Sequence, residues 1–575
     1  MYRMFKSIFF TLILIALFAV RSSSQTINAA SCSSTDVQNA VNTATEGQTV
    51  AIPACPAGVS WTTGVTISGK GISIKGASSG RAVAYSWSTL ALTAGSTNLT
   101  IAANNVAGTL PTLANGQLIR IMELTYPGNY LQGTVTSYNS STGALTINAT
   151  TAAGTCGATG SGGPASNCQR WIILTTPGVN ETKLVNNLNT GNPMFSITID
   201  GSYHTSISGI HFAEGNTPGY NILFTTNGSL GIVGGQSILI HDNMFEHGNP
   251  EWINANTNQF VIWNNSFVAN QWQSSNAVIR TVDASNGLGN WSWTNGSTMG
   301  TADTTGMHNG YFETNDLEGV AISTDYDSGA RGVFRYNFMN ESYIITHGPD
   351  TSNIGLRHLE FYNNVAINQV FGNAFDFSLG NGWINLRGGT MVVTNNAWPQ
   401  ITGFYAKNDI TWQVQNLNRD AGSHACWGLG TTGGANYPSP RQVGMGYVTG
   451  KGTAHGVDYT CTGAGTSVGC VGNHVFGPAS IDAFSYVGDN EPVYIWGNTR
   501  TLTFTNGDYP PGQGNNCPNP PNPDTVANYV VSGRDYFNGT AKPGWAPYTY
   551  PHPLTKGTQS SGSPTAPTSL FAIVN

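Results

Sequence analysis

Charge is what this 575-residue chain has least of. Its 22 Lys and Arg and 29 Asp and Glu make only 9% of the residues, for a net charge of −7. Cations so few and scattered build no basic face for nucleic acid and no polybasic patch for a membrane surface. Long apolar runs are also lacking: the run from Ile8 to Val20 is too short to favour a membrane span. It follows Arg3 and Lys6 and precedes Ser22, Ser23 and Ser24, which is the pattern of a secretory signal peptide over residues 1–24. Cysteine is sparse but even in number: eight, with no CxxC zinc spacing and no haem-attachment motif. In an exported chain the expectation is disulfides. Cys32 and Cys55 bracket the first helical stretch, and Cys156 and Cys168 close a Gly/Ser-rich loop. Cys426, Cys461, Cys470 and Cys517 supply two more bridges whose pairing stays open.

What the chain has instead is a repeated phrase. GYFETND, GVFRYNFMN and HLEFYNNVA are short strands that run into Asn315, Asn337 and Asn364. The phrase also ends at Asn243 and Asn265 upstream, and at Asn396 and Asn498 downstream. Repeats of roughly 20 to 50 residues mark solenoids. Three residues before the seven asparagines stand Ile240, Ile262, Phe312, Phe334, Phe361, Val393 and Ile495, all apolar. Two residues after come Phe245, Phe267, Leu317, Met339, Ala366, Trp398 and Arg500, apolar in all but the last. Two before, the set is mixed: His241, Trp263, Glu313, Arg335, Tyr362, Thr394 and Trp496. Side chains alternate faces along a strand, so this parity predicts a core on one face and a polar surface on the other. An inward asparagine can pass hydrogen bonds to its copy in the next coil, about 4.8 Å away. The prediction is an all-β parallel β-helix.

Around it the chain divides as follows. Residues 25–84 give a cap and the first coils, with a capped amphipathic helix from Ser34-Thr35-Asp36 through Val37, Ala40 and Val41 covering the open end. Residues 85–175 break the coil pattern with alternating strands and turn signals, and are expected to form an inserted antiparallel β domain. Residues 176–500 carry the main β-helix, 501–560 an irregular strap rich in Pro and Tyr, and 561–575 a linker-like tail.

Acids, a histidine and arginines gather in STDYDSGAR (323–331), THGPD (346–350) and GLR (355–357). Asp325 lies ten residues after Asn315 and His347 ten after Asn337, so coils of equal length would stack them. Asp327 shares the strand face of Asp325, about 6.5–7 Å along it. Asp350, Arg331, Arg357 and Arg387 fall close by, and His308 shares the register of Arg357. Trp291 and Trp293, in a long excursion between coils, could stack on sugar rings or simply anchor that loop. Asp325 and Asp327 could equally cap turns or hold a structural ion such as Ca²⁺. His241 is expected to face solvent, and Glu313 and Arg335 to form a surface ladder pair.

The chain resembles right-handed parallel β-helix proteins of the pectate lyase and pectin lyase-like superfamily, and within it an environmental bacterial branch. The resemblance rests on an RGG…NN coil (Arg387–Gly389, Asn395–Asn396), a PVYIWGN coil (Pro492–Asn498) and an RDYFN…YTYPHPL tail (Arg534–Asn538, Tyr548–Leu554). It implies an N-terminal capping helix, coils over roughly residues 26–80 and 190–556, and a substrate groove on the strand face that carries Asp325. Family members include lyases, hydrolases, epimerases and non-catalytic adhesins, so the fold alone leaves the reaction open. The expectation is a secreted polysaccharide lyase acting on a uronate-containing glycan, with Asp325, Asp327, His347 and Arg357 catalytic. Substrate contacts are expected from Arg331, Asp350, Arg387, His308, Trp291 and Trp293, and Ca²⁺ at Asp325 and Asp327 is an optional cofactor. An inverting hydrolase using the paired aspartates is the first alternative. The order STD…THG…R is similar to that of polygalacturonases, although Thr346 stands where they carry glycine and their paired-aspartate motif is missing. A glycan-binding adhesin is the second alternative. The expected partner is a polysaccharide, with no nucleic acid, no membrane span and no oligomeric state implied.

Overall fold

In a computed structural model, the described residues are 25–124, 128–157, 168–175, 180–189, 191–200, 203–215, 219–226, 237–246, 251–257, 260–268, 277–282, 309–319, 322–327, 330–340, 342–346, 356, 358–367, 384–386, 390–399, 411–415, 492–507, 532–533 and 536–555. Three parallel sheets wind through them. The first has 12 strands, from Thr26–Asn28 through Ile238–His241, Phe260–Trp263, Gly310–Glu313, Arg331–Arg335, His358–Tyr362 and Thr390–Thr394 to Tyr536–Asn538. The second has 8 strands, from Cys55–Trp61 to Val365–Ile367, and the third 10, from Val65–Ile67 to Thr503–Gly507. Each coil visits the sheets in that order, as in Thr205–Ser208, His211–Glu214 and Ile222–Thr226. Every register along these sheets is parallel, so the fold is a parallel β-helix.

The asparagine ladder turns the corner between the first and second sheets. Nδ2 of Asn243, Asn265, Asn315, Asn337, Asn364 and Asn396 each donates to Oδ1 of the next ladder asparagine at 3.0–3.2 Å. The same Oδ1 also accepts the backbone N–H of the earlier asparagine, and the same Nδ2 donates to a main-chain carbonyl one coil back, as Asn337 does to Phe312 O at 2.9 Å. Each side chain therefore satisfies backbone groups that the bend frees from the sheet ladders. The residue before each asparagine takes a left-handed conformation: Asp242, Asn264, Thr314, Tyr336, Asn363 and Asn395 at φ 55–57°, and Gly497 at 64°. Asp, Asn and Gly adopt this region readily; Thr and Tyr do not.

Inside, the residues three before and two after the ladder make one continuous core. Phe212, Phe245 and Phe267 stack in a row with centroids 4.8 and 4.7 Å apart, and Phe312 stacks on Phe334 at 4.9 Å. Helix α1 (Ser34–Thr43) covers the first coil with Val37, Ala40 and Val41; Ser33 caps it by accepting Asp36 N–H. The expected bridges Cys32–Cys55 and Cys156–Cys168 are both formed, while the other four cysteines lie outside the described residues.

The outer faces of two sheets depart from the sequence expectation: they are covered. On the first sheet, the segment from Trp545 to Thr555 packs Trp545, Tyr548 and Leu554 over Leu239, Val261, Trp263, Tyr311, Val333 and Tyr362. His241 is therefore not solvent-facing; it is 7% exposed, stacked on Trp263 at 4.3 Å and paired with Asp242 at 2.7 Å. Glu313 and Arg335 do pair, at 2.7 Å, but as a buried link rather than a surface one. Arg335 uses its whole fork. It donates twice to Glu313 Oε2, once to Tyr362 Oη, and once each to the carbonyls of Tyr548 and Thr549, all at 2.7–2.9 Å.

On the second sheet lies the inserted domain, seven antiparallel strands spanning Arg81 to Thr175. Ala82, Met122, Leu124, Ile172 and Leu174 pack on Met244 and Val268, and Tyr85 stacks on Phe338 at 5.8 Å. Beneath it sit two buried acids of the strand Asp316–Glu318. Asn104 of the insert donates to Asp316 Oδ2 and Asn340 of the next coil to Glu318 Oε2, both at 2.7 Å. Burial pushes both carboxyls up, Glu318 to about 8, and the charge of Glu318 adds to the rise at Asp316, so the pair holds a proton at neutral pH.

Candidate functional site

With two outer faces covered, the third sheet is the one along which neither the insert nor the C-terminal segment is packed in the described structure. Parity assigns its faces. In the strand Ile322–Asp327, Thr324 and Tyr326 are fully buried and Tyr326 belongs to the core, so position 325 lies on the opposite face, where Asp325 is half-buried. Ile253, Ala255, Ile279, Ile344, Ile384, Leu386 and Trp412 fix the same parity in neighbouring coils. In unbroken register across the sheet stand Asn254, Arg280, Asp325, Ile345, Asn385, Gln413 and Thr505. Adjacent coils stand about 4.8 Å apart, so six such steps make a row roughly 29 Å long. By residue type the row is polar at every position but Ile345.

The expected stacking of Asp325 on His347 is corrected by this register. Asp325 pairs with Ile345 and Tyr326 with Thr346. Two local features cause the shift. The corner after the ladder asparagine is one residue shorter in the later coil, since Ile322, seven after Asn315, faces Tyr343, six after Asn337. A bulge between Ile322 and Thr324 adds the second residue. Asp327 pairs with Val282 on its other side.

Arg331 is not on this face. It begins the first-sheet strand Arg331–Arg335, in register with His358, and is 1% exposed. The alternation of that strand puts Arg331 with Val333 and Arg335, on the side that the C-terminal segment covers, while Phe334 points into the core. Trp291, Trp293, His308, His347, Asp350, Arg357 and Arg387 lie outside the described residues. Sequence reading missed Asn254, Arg280, Asn385 and Gln413. Their signal was available in part: Asn254, Asn385 and Gln413 each lie between two apolar residues of a short strand, in EWINAN, INL and TWQVQ, while Arg280 in AVIRTV follows Ile279 and precedes Thr281.

Among the described residues no group of three His, Cys, Asp or Glu has metal-binding geometry, and no helix is long and apolar enough to cross a membrane. Ca²⁺ takes six to eight oxygen donors, more than the two carboxylates of Asp325 and Asp327 would supply.

No family model matches the sequence, and no curated protein matches it. Among solved structures, one described as "The complex structure of XylC with xylose" is similar over 68% of this chain and 75% of that chain, at 11% identity and a TM-score of 0.20. A score that low carries no conclusion, and the fold assignment rests on the strand register above.

Proposed function

We propose that this protein is an exported carbohydrate-active enzyme of the pectate lyase-like kind, a polysaccharide lyase that cleaves a uronate-containing glycan along the outer face of the third sheet. The observation that supports this most is the row Asn254–Arg280–Asp325–Ile345–Asn385–Gln413, polar by residue type at every position but Ile345 and set at one-coil spacing. An extended polysaccharide needs such a surface: several subsites in line, each with polar groups for hydroxyls and few apolar ones.

In β-elimination the uronate carboxylate is neutralised so that the proton on C5 becomes acidic. A base removes that proton, the electron pair forms the C4–C5 double bond, and the glycosidic oxygen leaves C4 with a proton from the solvent or an acid. Arg280, beside Asp325 in register, joins Arg357 as a candidate for neutralising the carboxylate. His347 is the proposed base, and Asp325 and Asp327 orient the sugar. Ca²⁺, when bound, would be held by Asp325 and Asp327 and would supply the same neutralisation. A hydrolytic reading keeps one specific support: outer positions two apart on a strand separate two carboxylates by about 7 Å, inside the roughly 6.5–9.5 Å span of inverting glycosidases.

Purified protein incubated with acidic and neutral polysaccharides, with and without chelator, tests the proposal. The ultraviolet absorbance of an unsaturated uronate product is expected on an acidic glycan. New reducing ends without that absorbance would replace the lyase by a hydrolase, and binding with neither would leave an adhesin.

A further inference from the structure

A second cavity lies away from the third sheet, in the seam where the inserted domain meets the second sheet. From the β-helix come Glu181, Lys183, His211 and Glu246; from the insert come Arg120 and Gln132. His211 is the centre. Its Nδ1 is paired with Glu181 Oε1 and its Nε2 lies 2.7 Å from Glu246 Oε2, and all three residues are buried. Lys183 is the register neighbour of His211 on the adjacent strand. Across the gap, Arg120 donates Nε and Nη2 to Gln132 Oε1 at 3.0 and 2.8 Å and lies 4.6 Å over the ring of Tyr130. The space between these walls is about 190 Å³ and opens to solvent on one side. At about 30 Å³ per water it is the volume of about six waters, enough for one sugar ring and too little for an oligosaccharide.

We propose that this seam is a binding site for a single acidic sugar unit, a hexuronate or the uronate end of a glycan chain, separate from the groove on the third sheet. Three observations lead there. Beside the cavity the seam is closed by apolar packing, Met244 and Val268 against Ala82, Met122 and Leu174, so the polar opening is a local departure from that packing. The two carboxylates flank one imidazole and each takes one of its ring nitrogens, an arrangement that calls for a proton on both; burial opposes that charge and the two hydrogen bonds favour it, with a net rise of the imidazole pKa. With Arg120 and Lys183 that makes three cationic groups against two anionic ones, a wall with one positive charge in excess, which a single carboxylate would balance. Finally, Leu118, Leu174 and Met244 give the cavity an apolar side for the C–H face of a pyranose, while Glu181, Glu246 and Gln132 can accept or donate to its hydroxyls. Ligand pockets concentrate at such junctions between domains.

Titration calorimetry of the full chain with galacturonate, glucuronate and glucose tests this. Saturable binding of at least one uronate is expected, with glucose at least tenfold weaker. Lys183→Met and Arg120→Gln should each weaken the uronate tenfold or more while the melting temperature holds. Lys183 is the cleaner of the two tests because Arg120 also holds Gln132 and covers Tyr130. Asp325→Asn should leave this binding unchanged whatever it does to turnover, which separates the seam from the groove. Absence of saturable uronate binding, equal binding of glucose, or binding that Asp325→Asn abolishes and Lys183→Met leaves intact would each overturn the proposal.

Discussion

Asn337→Ala should be among the most damaging single substitutions in the chain, and its cost can be worked from the ladder. The wild-type side chain donates to Phe312 O at 2.9 Å and Asn364 Oδ1 at 3.1 Å, and accepts from Asn315 N–H at 2.9 Å and Asn315 Nδ2 at 3.2 Å. Removal does not orphan all four partners. Asn315 Nδ2 keeps Ile262 O and Glu313 O, and Asn364 Oδ1 keeps the Asn337 backbone N–H. The Asn315 N–H, in a residue 2% exposed, loses the acceptor that served it. An unsatisfied buried donor costs about 1–3 kcal/mol, and the lost bonds with the small void add about 2 more, for a total of about 3–5 kcal/mol. Urea unfolding followed by tryptophan fluorescence measures it, with the exposed Thr66→Ala as a control expected within about 0.5 kcal/mol of wild type. The double substitution Asn315→Ala/Asn337→Ala should cost less than the two singles added, because the Nδ2–Oδ1 bond between the two side chains is lost in either single. A loss below about 1 kcal/mol, or strict additivity, would refute the claim that the ladder is a hydrogen-bonded chain holding the corner.

Three further outcomes follow from buried groups. Arg335→Ala should release the C-terminal segment, seen as rapid proteolytic cleavage between Trp545 and Thr555 while the coils stay resistant, because five donors and the carbonyls of Tyr548 and Thr549 meet at that one guanidinium. Glu318 gives a pH dependence. Its carboxyl, held at about 8 in the fold by burial against an ordinary 4.5, contributes stability that is full below about 4.5 and is lost as pH rises to about 8. Glu318→Gln should therefore flatten the fall in melting temperature over that window, a contribution of at most about 5 kcal/mol. Thr314→Asn should raise stability by about 1 kcal/mol, since Thr314 is a β-branched residue at φ 55° and four of its counterparts in other coils are Asp or Asn; an unchanged denaturation midpoint would mean that the turn is not strained.

The core and the ladder were legible because both repeat at a period the strand itself imposes, so Phe312, Phe334 and Phe361 announce one face without knowledge of the rest. The left-handed residue before each asparagine was not, because Asp242, Asn264, Thr314 and Tyr336 share a conformation without sharing a chemistry. The covered faces were hidden for a different reason. His241, Trp263, Glu313 and Arg335 look like a surface mixture, and only a segment more than 180 residues further along turns them into an interior. The same holds for Asp316 and Glu318, whose partner Asn104 lies 212 residues away. The groove suffered most from a short-range effect. One residue fewer at a corner and one bulge moved Asp325 from the expected His347 to Ile345, and no count along the chain reports a bulge.

That shift sharpens the choice of residue for testing the groove, because it makes Arg280 rather than His347 the observed neighbour of Asp325. If the enzyme neutralises a substrate carboxylate there, the guanidinium must act more strongly on the developing negative charge at C5 than on the resting uronate, and its removal must lower kcat more than it raises KM. Removing one such electrostatic group costs about 10²–10³ in rate. Arg280→Ala should therefore lose at least a hundredfold in kcat/KM on an acidic glycan. Arg280→Lys should recover part of that loss by restoring the charge without the fork. A role in turnover alone predicts that neither change moves the melting temperature by more than about 2 °C. Steady-state rates of product absorbance for the three proteins decide the matter: if Arg280→Ala keeps its rate within twofold of wild type, the row on the third sheet is not where the chemistry happens.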